Sequence, residues 1–166
     1  MSKTGRLGDR AEAAFLCRAM EEGLEVARPF SASLRYDFVL DNGTARLLVQ
    51  VKYTAQQVRP GVYVVRTARQ EHSGNRRSPK TVLYLPGEID FVAVFLAVER
   101  SWYVLPFAAL RGRKSITLYA PGLEGQSPDG VYLERWDLFW KWVGGRRLLK
   151  ASGAKLVAKK QKTGTD

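Results

Sequence analysis

The sequence feature that most constrains the fold is the Asn42-Gly43 pair, which lies between two segments of alternating polarity. Asn-Gly favours the positive φ angles of a two-residue hairpin turn. The pair therefore predicts two antiparallel strands, the first over residues 36–41 and the second over residues 46–54.

The remainder of the chain predicts one helix before this hairpin and further strands after it. Apolar side chains recur at helical spacing over residues 9–23. Residues 90–98 are apolar on both faces, as is typical of a central strand. Shorter strands are predicted at 24–30, 62–66, 102–105 and 116–119, and an aromatic-rich helix at 133–143. This order predicts an α/β or α+β fold, with a mixed sheet covered by helices.

The charge balance points to a polyanionic partner. The 166 residues carry 27 Lys and Arg against 16 Asp and Glu, a net charge of +11. Such an excess favours nucleic acid or an acidic membrane surface as partner. Cys17 and His72 are the only residues of their types, so an internal disulfide is excluded and a Cys/His zinc site is not expected.

No membrane or export segment is expected. The longest apolar run, residues 91–98, is far below the roughly 20 residues of a membrane span. The first ten residues lack the apolar stretch of a signal peptide. We therefore expect a cytoplasmic protein, which would associate with the nucleoid if its polyanionic partner is DNA.

The positive charge is unevenly spread. Residues 141–166 hold eight basic side chains and one acid, so we divide the chain into a single domain at 1–150 and a basic, disordered tail at 151–166. A second basic cluster occupies residues 59–80. Its candidate phosphate contacts, for which a solvated surface is the alternative, are Arg66, Arg69, Arg76, Arg77 and Lys80.

The predicted hairpin gathers side chains suited to a hard metal ion. Gln50 and Lys52 are two residues apart and leave the same face, and Asp37 can lie across the hairpin from them. Mg²⁺ prefers oxygen ligands, which Asp37, Gln50 and the Val51 carbonyl can supply. Lys52 would then lie beside a water or a phosphate, and Glu12 on the first helix could reach the same ion.

These residues resemble the motif of the PD-(D/E)xK nuclease superfamily. The likeness is greatest to the branch with glutamine at the second acid, which includes a group I intron homing endonuclease; archaeal Holliday-junction resolvases look more distant. The resemblance implies an αβββαβ core with a restriction-endonuclease-like sheet. It also implies Mg²⁺-dependent phosphodiester hydrolysis of DNA, with Mn²⁺ as a possible substitute, by a homodimer or homotetramer.

The resemblance also implies a role for each matching residue. Asp37 is the metal ligand, Gln50 occupies the second-acid position, Lys52 is the catalytic lysine and Glu12 is the helix carboxylate. Two positions depart from the motif, since Tyr36 replaces its proline and Gln50 replaces an acid. A helix is expected between the third and fourth core strands, although residues 67–89 have the composition of a loop.

Other readings stay open at this stage. Asp41 is expected to be a turn residue and His72 a surface residue. Trp136, Trp140 and Trp142 are expected to be core or dimer contacts. A Mg²⁺-dependent DNA endonuclease is the leading hypothesis; the alternatives are a non-catalytic DNA-binding module with the nuclease fold and a structural subunit that associates through the helix at 133–143.

Overall fold

The structure is a computed structural model that describes residues 3–31, 33–71, 80–110, 112–143 and 146–147. The predictions made at His72, Arg76, Arg77 and the tail at 151–166 lie outside the described residues. The helices are α1 Lys3–Glu21, α2 Phe107–Leu110 and α3 Asp137–Lys141. The strands are β1 Glu25–Ala27, β2 Phe38–Asp41, β3 Ala45–Thr54, β4 Gln57–Arg59, β5 Val62–Arg66, β6 Arg69–Glu71, β7 Lys80–Val82, β8 Phe91–Leu96, β9 Ser101–Pro106, β10 Ser115–Tyr119 and β11 Arg146–Arg147.

The predicted Asn-Gly hairpin is confirmed. Strands β2 and β3 pair antiparallel around it, with Phe38 opposite Val49. Gly43 has a φ of 78°, which a residue with a Cβ adopts only with strain. The Asn42 side chain is buried, accepts the Ala45 N–H at 2.8 Å and donates to the Phe139 carbonyl at 2.7 Å. The turn is therefore anchored to α3.

The central sheet is mixed, as predicted. Its strand order is β1-β2-β3-β8-β9, and β11 also pairs with β3. Strands β3 and β8 run parallel, whereas the other pairs are antiparallel. This arrangement places β3 and β8 inside the sheet. Phe91 and Ala93 of β8 enter one apolar cluster, and Val92 and Val94 enter a second cluster on the opposite face.

Helices α1 and α3 cover one face of this sheet, in line with the predicted helical cover. Phe15 of α1 and Phe139 of α3 pack on that face. The opposite face is covered by a second sheet of order β10-β5-β4, whose Tyr63 and Ile116 are buried against Val92. In the described residues between β3 and β8 the chain forms strands and turns, so the helix implied there is not among them.

The aromatic C-terminal helix is shorter than predicted. A 3₁₀ helix at Pro128–Tyr132 comes first, and α3 begins only at Asp137. The interruption is at Glu134, whose φ of 51° is incompatible with a right-handed helix. Its carboxylate accepts the backbone N–H of Trp102 at 2.6 Å, and its own N–H donates to the Trp102 carbonyl at 2.8 Å. The contact with β9 therefore separates the 3₁₀ helix from α3 and delays the start of α3.

The predicted helix at residues 9–23 is confirmed over most of its length, although α1 begins earlier, at Lys3. Trp136 is buried in the core and Trp142 packs against it, whereas Trp140 is 45% exposed. None of the helices in the described ranges is both long and apolar enough to cross a membrane.

Phe15 provides a test of the packing between α1 and the sheet. Its ring centroid lies 5.2 Å from that of Phe38, 5.5 Å from Trp136 and 5.7 Å from Trp102. We expect Phe15→Ala to lower the free energy of unfolding by about 3–5 kcal/mol, because it leaves a cavity among these rings. Urea denaturation followed by tryptophan fluorescence measures the change.

Leu16→Ala is the matched control on the same helix, since Leu16 is 36% exposed. It should cost less than about 1 kcal/mol. Equal losses for the two variants would contradict the assignment of Phe15 to the core.

Candidate active site

The site lies just before β2 begins, where β3 extends past its last pair with β2. The β2–β3 register places Asp37 opposite Gln50, and the Asp37 N–H donates to the Val49 carbonyl at 2.9 Å. Alternation along β3 turns the backbone N–H and C=O of Val51 to the same side as those of Val49, just past the last β2 partner. The β2 ladder therefore leaves both Val51 groups available to side chains.

The Asp37 carboxylate occupies this position. Its Oδ2 accepts the Val51 N–H at 2.7 Å and the Gln50 side-chain N–H at 2.5 Å. The same Gln50 amide nitrogen lies 3.2 Å from the Val51 carbonyl, and the Tyr84 hydroxyl donates to Gln50 Oε1 at 3.4 Å. Within the described ranges, Asp37 Oδ1 accepts no hydrogen bond.

Lys52 lies on the same face of β3 as Gln50, toward the second sheet. Burial lowers its pKa below the usual 10.5, and the negative charge of Asp37 partly offsets this shift. In the part of the chain that the structure describes, its ammonium has no hydrogen bond or close ion pair. Lys52 is thus a half-buried cation with its donors available to a water or an anion.

Burial also raises the pKa values of two carboxyl groups at the site. For Asp37, burial outweighs the opposing effects of the Val51 hydrogen bond and the Lys52 charge. For Glu12, burial and the nearby charge of Asp37 raise the pKa, while Arg28, which forms an ion pair with it, lowers it. Glu12 and Asp37 therefore lie close enough to interact electrostatically.

These groups fit a hard divalent cation. A carboxylate oxygen, an amide oxygen and a backbone carbonyl are the donors that Mg²⁺ takes in proteins. Asp37 Oδ1 accepts no hydrogen bond from the described residues and is available as a ligand, with the Val51 carbonyl nearby. Gln50 directs its amide N–H toward both groups and its Oε1 toward Tyr84, so its oxygen would face an ion there once the amide is turned over. No cluster of three or more Asp, Glu, His or Cys side chains occurs among the described residues, which is consistent with glutamine at position 50.

An open cleft of about 1010 Å³ lies at the site, and neither Glu12 nor Val51 is among the residues that line it. Asp37, Gln50 and Lys52 line it together with Arg66 and Arg69 from the predicted DNA-contacting set. Arg69 lies 3.7 Å from Glu88 in an ion pair. Lys80, in contrast, begins β7 as an exposed residue and is not among the residues that line the cleft.

Three residues at the site were not predicted from the sequence. Tyr84 lines the cleft and contacts Gln50, and burial together with the nearby Asp37 raises its pKa to about 12. Arg28 pairs with Glu12, and Arg35 lines the cleft. No local pattern marks Tyr84 or Arg28 as site residues, although Arg35 is adjacent to the motif residues Tyr36 and Asp37.

Comparison with models of known protein families identifies the family of the chain. The sequence model of the PD-(D/E)XK endonuclease family matches residues 2–139. The chain belongs to the PD-(D/E)XK endonuclease family. Both the recognised superfamily and the predicted restriction-endonuclease-like α+β fold are therefore confirmed. Enzymes of this family generally use divalent metal ions.

Two solved structures resemble the chain. One is a bacterial homing endonuclease, I-Ssp6803I, at TM-score 0.73 and 29% identity, covering 84% of this chain and 95% of that one. The other is Hjc, a Holliday junction resolvase from Archaeoglobus fulgidus, at TM-score 0.42 and 17% identity, covering 68% of this chain and 83% of that one. No curated protein sequence matches the chain. The assignment of Glu12, Asp37, Gln50, Val51 and Lys52 as site residues stays a prediction.

The burial of Lys52 has a measurable consequence for stability. We expect Lys52→Met to raise the free energy of unfolding at pH 7 by about 0.5–2 kcal/mol, because it removes a charge that the fold disfavours. Between the lowered pKa and 10.5 the unfolded chain binds more protons, so the parent gains stability as pH rises. The advantage of the variant should therefore shrink at pH 10, as measured by urea denaturation at both pH values.

Lys141→Met serves as the control, because Lys141 is 68% exposed and forms its ion pair with Asp137, a surface carboxylate. It should change stability by less than about 0.5 kcal/mol at either pH. A Lys52→Met protein less stable than the parent at pH 7 would contradict the burial argument.

Proposed function

We propose that the protein is a Mg²⁺-dependent DNA endonuclease that hydrolyses phosphodiester bonds in duplex DNA, as a homing endonuclease does. The observation that carries the proposal is the juxtaposition of Asp37, Gln50 and Lys52 in one cleft that also contains Arg66. Family membership and the 29% identity to a bacterial homing endonuclease over 84% of the chain support it.

The cleft offers both binding and chemistry to a phosphate backbone. Arg35, Arg66 and Arg69 supply positive charge along its lining. Asp37, Gln50 and the Val51 carbonyl would hold the Mg²⁺ ion, with Glu12 as a further carboxylate beside them. Mn²⁺ would suit the same oxygen ligands.

Hydrolysis adds water across one P–O bond. The water oxygen attacks phosphorus, the bridging P–O bond breaks, and the two protons of the water are shared between the new phosphate and the leaving oxygen. A bound Mg²⁺ supplies charge stabilisation at phosphorus and acidifies water. Lys52 orients the attacking water and stabilises the negative charge that develops on the phosphoryl oxygens.

The assembly is expected to be a homodimer or homotetramer. Each protomer presents one cleft containing Asp37 and Lys52 in the described residues. Because one such site hydrolyses one strand at a time, cutting both strands calls for a second copy. We propose that the enzyme acts in the cytoplasm, on nucleoid DNA.

A non-catalytic DNA-binding role is the second candidate, favoured by one observation. Gln50 stands where the family has an acid, and its amide donates to Asp37 as a neutral partner would. On this alternative, DNA binding would fall with salt but would be unaffected by EDTA or by Asp37→Ala.

Substitution at the site separates the two candidates. We expect Asp37→Ala and Lys52→Met each to lower the rate of cleavage by about 10²–10⁴-fold, because each removes a group that acts on the reacting phosphate. Binding of the same DNA should change by only a few fold. Nicking of supercoiled plasmid and cleavage of a pool of duplexes, with Mg²⁺ or Mn²⁺, measure the rate.

Lys141→Met, on the opposite side of the central sheet from the cleft, should cleave as the parent does. A calorimetric titration with Mg²⁺ should show binding to the parent and loss of binding in Asp37→Ala. If the parent cleaves no duplex, branched or single-stranded DNA with either ion, the endonuclease proposal is wrong.

A further inference from the structure

The second sheet has one buried face and one solvent-exposed face. Along β5, Tyr63 and Val65 are at most 4% exposed and pack toward the central sheet. Val64, between them, is 49% exposed, and Arg66 is exposed as well. The strand therefore presents Val64 and Arg66 to solvent on the side away from the core.

Strand β10 continues the same solvent-exposed face. Its Ser115 lies opposite Arg66 and its Thr117 opposite Val64 in the antiparallel register. Both are exposed, whereas Ile116 and Leu118 between and beyond them are buried. Strand β4 pairs only with Val62 and Tyr63, so beyond them β5 and β10 form a two-stranded ribbon. Val64, Arg66, Ser115 and Thr117, which we name the ribbon face, form two cross-strand pairs on it.

The ribbon face has the charge that suits a polyanion. None of the strands β4, β5 and β10 contains Asp or Glu. Arg66 has no hydrogen bond or ion pair to any of the residues that the structure describes. A groove of about 460 Å³ runs along this face and is lined by Val64, Arg66, Thr81, Lys114 and Ser115.

This groove is continuous with the candidate active site. Val64 and Arg66 line the groove and also line the cleft that holds Asp37 and Lys52. A duplex whose phosphate reaches Lys52 would therefore extend over the ribbon face. The surface next to the reacting phosphate is thus an exposed β-ribbon rather than a wall of the core.

We propose that the ribbon face lies in the major groove of duplex DNA and reads its base sequence. This inference rests on the proposed function for the identity of the ligand. The major groove is about 12 Å wide and admits a two-stranded ribbon. Its base edges match the side chains present: an arginine for guanine O6 and N7, hydroxyls for donors and acceptors, and methyl groups for the thymine methyl.

The side chains of the ribbon face suit different contacts in the major groove. Arg66 can form two parallel hydrogen bonds to one guanine, which would fix that base pair. Ser115 and Thr117 are adaptable in their hydrogen bonds, and the methyl groups of Val64 and Thr117 add contacts to thymine. Lys114 and Arg59 beside this face would contact phosphates and carry no sequence information.

Selection of binding sites from a pool of random DNA duplexes tests the proposal. The protein carries Asp37→Asn in every case, so that binding is measured without cleavage. We expect Arg66→Gln to relax the preference at one base pair and to weaken binding to the preferred duplex by about 5- to 150-fold. The double variant Ser115→Ala, Thr117→Val keeps the charge and should change the preferred bases at neighbouring positions.

Arg46→Gln is the matched control, since it removes one positive charge at the far end of β3, where Arg46 pairs with Asp41. It should leave the preferred sequence unchanged. If the ribbon-face variants keep the parental preference, or weaken binding to all sequences by the same factor, the ribbon face does not read bases and the inference is wrong, while the proposed function stands.

Two further outcomes are informative. If the parent binds no duplex DNA, the proposed function and this inference both fail. Equal competition by an RNA duplex would contradict the inference alone, because the major groove of A-form RNA is too narrow to admit the ribbon.

Discussion

The carboxylate of Asp37 lies just before β2 begins, where the β2–β3 pairing stops and β3 stays paired with β8, and it accepts the Val51 N–H at 2.7 Å. A backbone N–H left unpaired at this half-buried position would carry a desolvation cost. Asp37 removes that cost and at the same time holds the Gln50 amide at 2.5 Å. The separation of the two strands and the assembly of the site therefore depend on the same hydrogen bonds.

The site is held against an energetic preference for neutral side chains. Burial raises the pKa values of Asp37 and Glu12 and lowers that of Lys52, so the fold disfavours the charged form of each. The rigid packing around Phe15 stabilises the sheet that carries them. Such a balance is typical of sites whose charged groups act on a substrate, since the stability lost there is made up in the core.

Short-range patterns accounted for the hairpin and for much of the candidate site. Asn42-Gly43 marked the turn, and the period of two along β3 placed Gln50 and Lys52 on one face. Because a hairpin turn also sets the register, the position of Asp37 across from Gln50 followed from the same residues. The resemblance to a known family was available for the same reason, since its motif is local.

Contacts between distant segments could not be read from the sequence. The second sheet that covers one face is built by pairing β10 with β5, which are about fifty residues apart in the chain. Glu134 interrupts the helix predicted at 133–143 near its start because of its hydrogen bonds to Trp102 on β9. Tyr84 and Arg28 reach the site from loops and strand ends whose paths no periodicity encodes.

The most direct test of the account is the position of a metal ion in crystals of the protein with duplex DNA and Mn²⁺. Anomalous scattering locates the ion independently of any assumed mechanism. We expect a peak within about 2.0–2.6 Å of an Asp37 carboxylate oxygen and of the Val51 carbonyl, next to a DNA phosphate and to Lys52. Ordered DNA in the cleft with no ion at Asp37, or with an ion bound only elsewhere, would contradict it.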